Sequence, residues 1–421
     1  MKKLLKNCLT ADGKVDILIE NDKYKAISKV GEISEDVDEI INFEGKLVIP
    51  AMTDPHVHVR DLEQSDKEDW ESCSNAALKN GITTIFDMPN TIPPTIDWDS
   101  LLLKQKMAEK SLIDYKLFLG VDPDNLIELD SILNANLNEI AGIKLFLASS
   151  SQNEIIDDKI TLQNLFRIAK SHNLVITVHT ELQRCLDQVD LGKDEYDATD
   201  HNNLRPRKCA IEGLKLILDV AANIGTEIVI CHVSTKEELE LIAKSKKKGQ
   251  QVYCEVTPHH LLLDESKTKE FGNWAKVNPP LRTKEDNEAL LAGIKSGVVD
   301  FIGTDHAPHK LEEKSRAYLE SPSGFPGVET ALPALIDLML NNKITLKELV
   351  QLTSTNINKL YKIDKEMKIG NKVNLVVIDP KEKTIIDVKN FVSKAKYSPF
   401  EGSVFQGKIV DVIYAGKTEK Q

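Results

Sequence analysis

Six residues with metal-binding chemistry each lie at or just after a short apolar, β-branched run that is typical of a strand. They are His56, His58, Lys144, His179, His232 and Asp305. In a barrel of alternating strands and helices, the carboxyl ends of all the strands meet at one mouth. Imidazole nitrogens and carboxylate oxygens are common ligands of divalent metal ions. The pattern therefore predicts a metal-dependent hydrolase.

The prediction depends on the combination of these residues. His56 and His58 are two residues apart on one strand, so their side chains point to the same face and can reach one metal ion. His179 and His232, taken singly, are typical of hydrogen-bonded core histidines, and Asp305 is typical of a helix cap. Five such residues at four strand ends favour a shared site.

Lys144 is the unusual member, because a protonated lysine repels metal ions. One interpretation is that it pairs with a carboxylate at the barrel mouth. The other is that its neutral amine has captured CO₂ as a carbamate, which can bridge two metal ions. Positive charge nearby favours the neutral form of a lysine, so the second interpretation is chemically feasible.

The elements that would position these residues alternate regularly along the middle of the chain. Eight strand candidates lie near 51–57, 82–87, 115–119, 142–146, 174–179, 227–232, 251–256 and 299–304. Most are followed by helical patterns, and eight such units predict a (β/α)₈ barrel of the TIM type. We assign the barrel to 51–361 and a small β-sandwich domain, built from both chain ends, to 1–50 and 362–421. The polar segment 186–208 is interpreted as an irregular loop.

Composition limits the function classes. The chain has 421 residues, 41% of them hydrophobic, and a formal net charge of -12. Nucleic-acid binding would need a clustered basic surface, so it is not expected. Neither a signal peptide nor a membrane span is expected, because no apolar run has the required length. The six cysteines are scattered without a C-x-x-C pair, which predicts reduced thiols and a cytoplasmic protein.

The motifs of the chain resemble those of the dihydroorotases in the cyclic amidohydrolase superfamily. The matching stretches are DPHVHVRD, FDMPNT, GIKLFL, VHTE, CHVS, EVTPHHLLL, VNPPLR, GTDHAPH, GFPGVET and YSPFEG. They occur in the family order and span roughly residues 47–405. The combination of GTDHAPH with HVHVR and DMPNT is more specific than any one motif.

This resemblance implies two zinc ions per chain. His56, His58 and Asp305 would hold one ion, His179 and His232 would hold the other, and carboxylated Lys144 and a hydroxide would bridge them. The implied reaction is the reversible cyclisation of N-carbamoyl-L-aspartate to L-dihydroorotate and water, a step of pyrimidine biosynthesis. Asp305 would serve as the general acid and base, in opposite roles for the two directions.

The substrate carboxylate would be bound by Arg60, whose guanidinium forms a bidentate fork with carboxylates. The alternative for Arg60 is a surface ion pair with a neighbouring acid. Asn90, Asn278 and His309 are further expected substrate contacts. Two positions depart from the family pattern: Leu62-Glu63 replaces the usual Pro-Gly, which puts the loop shape in doubt, and Asn278 stands where some relatives carry arginine.

Cys231 and Glu255 also lie near the predicted mouth. They are interpreted as core packing and a hydrogen bond behind the ligands, with an additional metal site as the alternative. The segments 149–157 and 310–327 are candidates for closing over the substrate, and the serines at 149–151 for lining the pocket.

Two other functions stay open at this point. A hydantoinase, dihydropyrimidinase or allantoinase would keep the fold and open a different ring. A non-catalytic barrel could serve as a scaffold for a partner such as aspartate transcarbamoylase, but such a chain is expected to have lost metal ligands. The resemblance also implies a homodimer.

Overall fold

The computed structural model describes residues 1–123, 125–135, 140–148, 155–415 and 417–420. The strands are β1 (Lys2–Thr10), β2 (Gly13–Glu20), β3 (Lys23–Lys29), β4 (Glu39–Asn42), β5 (Leu47–Pro50), β6 (Met52–Val57), β7 (Ile82–Asp87), β8 (Asp114–Gly120), β9 (Ile140–Phe146), β10 (Val175–His179), β11 (Ile228–Ile230), β12 (Val252–Val256), β13 (Phe301–Ile302), β14 (Asn374–Ile385), β15 (Val404–Tyr414) and β16 (Lys417–Lys420). The helices are α1 (Trp70–Lys79), α2 (Trp98–Ala108), α3 (Leu126–Asn134), α4 (Lys159–Ser171), α5 (Gln183–Leu186), α6 (His201–Leu204), α7 (Arg207–Ile224), α8 (Lys236–Lys247), α9 (Pro258–Leu262), α10 (Ser266–Phe271), α11 (Lys284–Lys295), α12 (Leu311–Lys314), α13 (Ala331–Leu340), α14 (Leu346–Val350) and α15 (Asn356–Leu360).

Strands β6 to β13 form one eight-stranded parallel sheet in chain order. The sheet closes between its first and last strands, because Val57 pairs with His306 and the His58 amide donates to the His306 carbonyl at 2.8 Å. Every residue of β6, β7 and β10 is buried, as expected for strands covered by helices outside and packed inside. The predicted (β/α)₈ barrel is confirmed.

Local sequence signals start the barrel helices. A side chain at the helix start and one three residues later satisfy each other's backbone amides in α1, α2, α8 and α11. In α8 the pair is Thr235 and Glu238. Such capping boxes satisfy amides that have no partner inside the helix. The turns that lead into these four helices are thereby fixed.

Two strands end earlier than the sequence suggests. β11 ends at Ile230 and β13 at Ile302, so His232 and Asp305 lie in the turns beyond them. Both residues have left-handed backbones, with φ of 35° and 48°. A left-handed residue cannot continue a strand and costs conformational energy, and such strain is concentrated at functional sites.

Both chain ends contribute to the second sheet, as predicted. Its strand order is β16-β15-β14-β5-β1-β2-β3, with β4 paired to β1. One face has its own core, which includes Leu5, Ile17 and Leu375. The other face shares the main barrel core, where Val376 and Val412 are buried. The division of the chain into two domains remains a prediction.

The segment 186–208 is more ordered than the irregular loop that we expected. It contains a 3₁₀ turn at Ala198–Asp200 and helix α6. His201 is buried there, with Nδ1 2.6 Å from the Tyr318 hydroxyl and Nε2 2.8 Å from the Val277 carbonyl. Tertiary hydrogen bonds therefore order a segment whose polar composition indicated a loop.

The prediction that all six cysteines are thiols is wrong for one pair. Cys185 of α5 and Cys209 of α7 form a disulfide across a sequence separation of 24 residues. The other four cysteines are free and buried. Spacing along the chain could not indicate this bond, because the fold of the intervening segment brings the two helices together.

Reduction of the disulfide is expected to destabilise the protein by up to about 3 kcal/mol, because opening a loop of this length restores entropy to the unfolded chain. For a chain of this size the Tm should fall by about 3 °C. Calorimetry with and without a reductant measures the shift. A double variant, Cys185→Ser with Cys209→Ser, should have the lower Tm and should not respond to the reductant. Six alkylatable thiols in the untreated protein would contradict the assignment.

Within the described part of the chain, no helix is long and apolar enough to cross a membrane.

Candidate metal centre and active site

A cavity of about 550 Å³ opens at the carboxyl-terminal mouth of the barrel. All ten residues that the sequence suggested as metal or substrate contacts line it: His56, His58, Arg60, Asn90, Lys144, His179, His232, Asn278, Asp305 and His309. Active sites of TIM barrels occupy this end of the barrel. The closed sheet thus gathers positions that are as much as 253 residues apart (His56 to His309).

The first cluster contains His56, His58 and Asp305. One carboxylate oxygen, Oδ1 of Asp305, lies 3.4 Å from His56 Nε2 and 3.2 Å from His58 Nε2. Potential ligand atoms of the three residues all lie within 4.8 Å of one another. Two imidazole nitrogens and a carboxylate therefore face one small volume.

The far nitrogen of each ring in this cluster contacts an oxygen. Nδ1 of His56 lies 2.7 Å from Glu255 Oε1, and Nδ1 of His58 lies 2.7 Å from Asn90 Oδ1. Such contacts orient a ring and select the nitrogen that carries its proton. Asn90, predicted as a substrate contact, thus also positions His58.

The second cluster pairs His179 with His232. Nδ1 of His179 lies 3.0 Å from Nε2 of His232. On its other side, Nε2 of His179 lies 3.1 Å from Glu181 Oε2, and Arg205 donates to the same carboxylate at 2.7 Å. His179 therefore presents Nδ1 to the mouth, whereas His56 and His58 present Nε2.

Lys144 lies on β9, next to the strand that carries His179, and lines the same cavity as both clusters. Its amine is buried and donates to Cys231 Sγ at 3.0 Å, and it lies 5.0 Å from the centre of the Phe146 ring. Among the described residues, no carboxylate forms an ion pair with this amine. The contacts do not match the interpretation in which Lys144 pairs with an acid.

Burial keeps three of the four imidazoles neutral. It lowers the pKa of His58 to about 3. It also lowers the pKa of His179, and it holds the pKa of His232 well below its usual range. A neutral imidazole has a lone pair for a metal ion, so these rings are in the form that ligation requires.

Neighbouring charges determine the direction of the pKa shifts of His56 and Asp305. Burial alone would lower the pKa of His56, but the Glu255 carboxylate raises it to about 10. Burial opposes the ionisation of Asp305, yet the His56 and His58 imidazoles hold its pKa well below its usual range. Asp305 is therefore an anion among imidazoles. This donor set fits divalent cations, which bind nitrogen and carboxylate ligands together.

A further group that could hold a cation consists of His56, Cys231 and Glu255, whose ligand atoms also lie within 4.8 Å of one another. It shares His56 with the first cluster. Glu255 Oε1 already contacts His56 Nδ1 at 2.7 Å, and Cys231 contacts Lys144. These contacts favour our interpretation of Glu255 as a hydrogen-bonding partner behind the ligands.

Arg60 is buried beside the clusters and makes no surface ion pair with Asp61 or Glu63. Its Nε donates to the Pro308 carbonyl at 3.2 Å, and its Nη2 lies 3.1 Å from His309 Nε2. A buried guanidinium that lines this cavity suits an anionic ligand group.

The loop that departs from the family pattern has an unusual backbone. Arg60, Asp61 and Leu62 all have left-handed φ, at 67°, 48° and 52°. The Asp61 carboxylate accepts from the Leu62 amide at 2.7 Å, which supports the turn. Leu62-Glu63 is therefore compatible with a tight turn that leaves Arg60 lining the cavity.

Asn278 lines the same cavity, and its Oδ1 is buried without a hydrogen-bond partner among the described residues. A buried oxygen without a partner is costly unless a ligand satisfies it. Asn278 thus keeps an acceptor available in the cavity.

Several polar residues that line the cavity were not predicted from the sequence, among them His201, Arg205, Lys276 and Tyr318. Glu181, which contacts His179 but does not line the cavity, was also not predicted. It follows His179 by two positions in VHTE, the same spacing as His56 and His58, and this spacing could have indicated it. His201 and Arg205 lie in the segment interpreted as a loop, where no periodicity marks them.

The segment 310–327 is held by two buried lysines. Lys276 donates to the Tyr318 carbonyl at 2.7 Å, and Lys314 donates to the Gly324 carbonyl at 3.0 Å. These charged hydrogen bonds tie the segment down at the rim of the cavity.

The other candidate for closing over the substrate is 149–157. Its residues 149–154, which include the serines predicted to line the pocket, lie outside the described residues. Ile155 pairs with Phe146 where the described chain resumes.

A TIM barrel with imidazoles and a carboxylate converging at its mouth defines the class of metal-capable barrel hydrolases. Comparison with known proteins then gives the family. The Amidohydrolase family pattern matches residues 47–418, and the chain belongs to this family. The prediction that it is an enzyme that hydrolyses cyclic amides is confirmed at this level.

Similar proteins cover nearly the whole chain. A dihydroorotase of Methanosphaera stadtmanae is 33% identical over 99% of this chain and 96% of its own length. A dihydroorotase of Clostridium botulinum is 36% identical over 99% of both chains. Among solved structures, an L-hydantoinase (dihydropyrimidinase) from Arthrobacter aurescens has a TM-score of 0.93 at 28% identity and covers 100% of this chain and 96% of that chain. A dihydropyrimidinase from Brevibacillus agri has a TM-score of 0.91 at 27% identity and covers 99% of this chain and 95% of that chain.

Proposed function

We propose that this enzyme is a dihydroorotase, which interconverts N-carbamoyl-L-aspartate with L-dihydroorotate and water in pyrimidine biosynthesis. The observation that carries the proposal is the buried Arg60 guanidinium lining the cavity beside the metal-capable clusters. Dihydroorotate is a cyclic amide with a carboxylate, and a buried guanidinium recognises that group. The sequence relatives named above carry the same name.

Two zinc ions are the cofactors that we propose. His56, His58 and Asp305 would hold one, His179 and His232 would hold the other, and carboxylated Lys144 would contribute to both. Bound there, the ions would polarise the ring carbonyl and lower the pKa of water, so that a nucleophile exists at neutral pH.

Asp305 is the proton carrier in this proposal. Its ionised carboxylate lies against two imidazoles and can accept the proton of the attacking water. In ring opening it would pass that proton to the departing ring nitrogen, and in ring closure it would act in reverse. One residue thus serves both directions.

Arg60, His309, Asn90 and Asn278 are the proposed substrate contacts. Arg60 and His309 would bind the carboxylate, and they lie 3.1 Å apart. Asn278 Oδ1 would accept from a ring N–H. Fixing the carboxylate places the scissile amide over the clusters, which turns a bimolecular encounter into an oriented reaction.

The structural relatives favour a second candidate, a hydantoinase or dihydropyrimidinase, since those structures share the fold closely. Hydantoin and dihydrouracil rings lack the carboxylate. A cavity built for them has no need of a buried guanidinium at position 60. Arg60 therefore separates the two candidates.

Replacing Arg60 with glutamine is expected to lower kcat/KM for dihydroorotate by about 10²-fold, from the loss of about 3 kcal/mol of charged hydrogen bonding. Turnover of hydantoin or dihydrouracil, where detectable, should change little. The measurement is steady-state kcat/KM for four cyclic substrates: dihydroorotate, dihydrouracil, hydantoin and allantoin. It uses protein whose metal content has been determined.

Arg60→Lys is the matched control, because it keeps the charge and loses the planar fork. It should fall between the wild type and Arg60→Gln on dihydroorotate. If the wild type prefers rings without a carboxylate, or if Arg60→Gln affects all rings equally, the dihydroorotase proposal is wrong.

Cytoplasmic location, a homodimer and association with aspartate transcarbamoylase remain predictions. A non-catalytic scaffold is disfavoured, because the chain keeps all six residues proposed to hold metal ions.

A further inference from the structure

We propose that Glu255 is a positioning residue that orients one histidine of each cluster, His56 of the first and His232 of the second. The inference rests on the proposed function, because it concerns the same metal positions. The other carboxylate behind the ligands, Glu181, contacts His179 alone among the four imidazoles in the described structure.

A single oxygen of Glu255 makes both contacts. Its Oε1 lies 2.7 Å from His56 Nδ1 and accepts from the His232 backbone amide at 3.0 Å. A carboxylate accepts hydrogen bonds and does not donate them, so His56 must carry a proton on Nδ1. Its Nε2 faces Asp305, 3.4 Å away.

The contact with His232 acts through the backbone. His232 has a left-handed φ of 35°, which is unfavourable for a residue with a side chain. The Glu255 side chain accepts from the His232 amide, and the Glu255 carbonyl accepts from the Val233 amide at 2.9 Å. Glu255 therefore holds both sides of the strained turn that aims His232 at His179.

The fold reserves space for this carboxylate. A Cβ at Gly303 would lie 2.8 Å from Glu255 Cδ and 2.9 Å from His56 Cβ, so a larger residue there would displace both side chains. Glu255 is fully buried, and its Oε2 has no hydrogen-bond partner among the described residues. Burying a half-satisfied carboxylate is costly, which is typical of a group retained for function.

The test compares Glu255→Leu with the matched variant Glu181→Leu, after chelation of the full-length protein. Native mass spectrometry during a Co²⁺ titration counts the ions bound per chain. The wild type is expected to load two ions. Glu255→Leu should weaken both loading steps by about 10–100-fold, and Glu181→Leu should weaken one step by a similar factor.

A second readout reports the ring nitrogens directly. In protein with ¹⁵N-labelled histidine and no metal, the His56 signals should show a proton on Nδ1. Glu255→Leu should change the His56 and His232 signals, whereas Glu181→Leu should change the His179 signals and leave those of His56 unchanged. A general loss of packing would not divide the changes between the rings in this way.

The outcomes are distinct. If wild-type protein binds no Co²⁺, the proposed function fails. If the wild type loads two ions and Glu255→Leu loads them equally well, or loses only one step, this inference fails and the function stands. If Glu255→Leu does not fold, Glu255→Gln replaces it in the test, because glutamine keeps the volume and one acceptor. Co²⁺ binding should again weaken at both loading steps, by smaller factors. Unchanged binding, or weakening of one step alone, would again contradict the inference.

Discussion

Lys144→Ala is expected to abolish turnover of dihydroorotate, with a fall in kcat/KM of at least about 10³-fold, or about 4 kcal/mol. Metal content should fall with it. In the proposed centre, the Lys144 amine forms a bond to CO₂, releases a proton and becomes a carbamate anion. Without that charge, the four imidazoles and the Asp305 carboxylate provide little compensation for two divalent ions.

Short carboxylic acids should partly restore both metal content and turnover of Lys144→Ala, because they replace the missing carboxylate oxygens. Protein supplied with ¹³CO₂ should show a carbamate carbon signal that the variant lacks. A metal-free Lys144→Ala protein with full activity would refute the mechanism.

A second buried lysine offers the matched control. Lys104 pairs with Asp87 at 2.7 Å and donates to the Met88 carbonyl at 2.7 Å, away from the cavity lining. Lys104→Met should lower the Tm, since it leaves a buried carboxylate unpaired. It should retain the metal content of the wild type. This contrast separates general loss of stability from loss of the centre.

Asp305→Asn is expected to lower kcat by about 10²–10⁴-fold, because an amide cannot carry the proton between water and the ring nitrogen. An enzyme leaves the reaction equilibrium unchanged, so kcat/KM should fall by the same factor for ring opening and ring closure. Both directions can be followed by the absorbance of the substrate ring.

Asp305 is also a proposed ligand, so the variant must be assayed at saturating metal with its metal content measured. A proton-transfer role predicts that activity stays low even when loading is restored. A fully loaded Asp305→Asn protein that retains more than about a tenth of wild-type activity would contradict this role.

Much of the architecture was predictable from the sequence because its signals are local. Buried β-branched runs marked the barrel strands, and the prediction of β7 at 82–87 matches the observed bounds. His56 and His58 follow the period of two that all strands share. The predicted bounds were too long near the mouth. β11 and β13 end before the predicted limits, and the turns that follow them contain left-handed residues, His232 and Asp305.

The sequence by itself determined the class of chemistry, because the residue types and their places at strand ends follow from local patterns and from the geometry common to all such barrels. Only the tertiary structure decided which atoms meet. In the tertiary structure, Glu255 contacts both His56 and His232, and Asn90 contacts His58. Cys185 and Cys209 form a disulfide. These contacts depend on packing between elements distant in the chain, and no local periodicity records that packing.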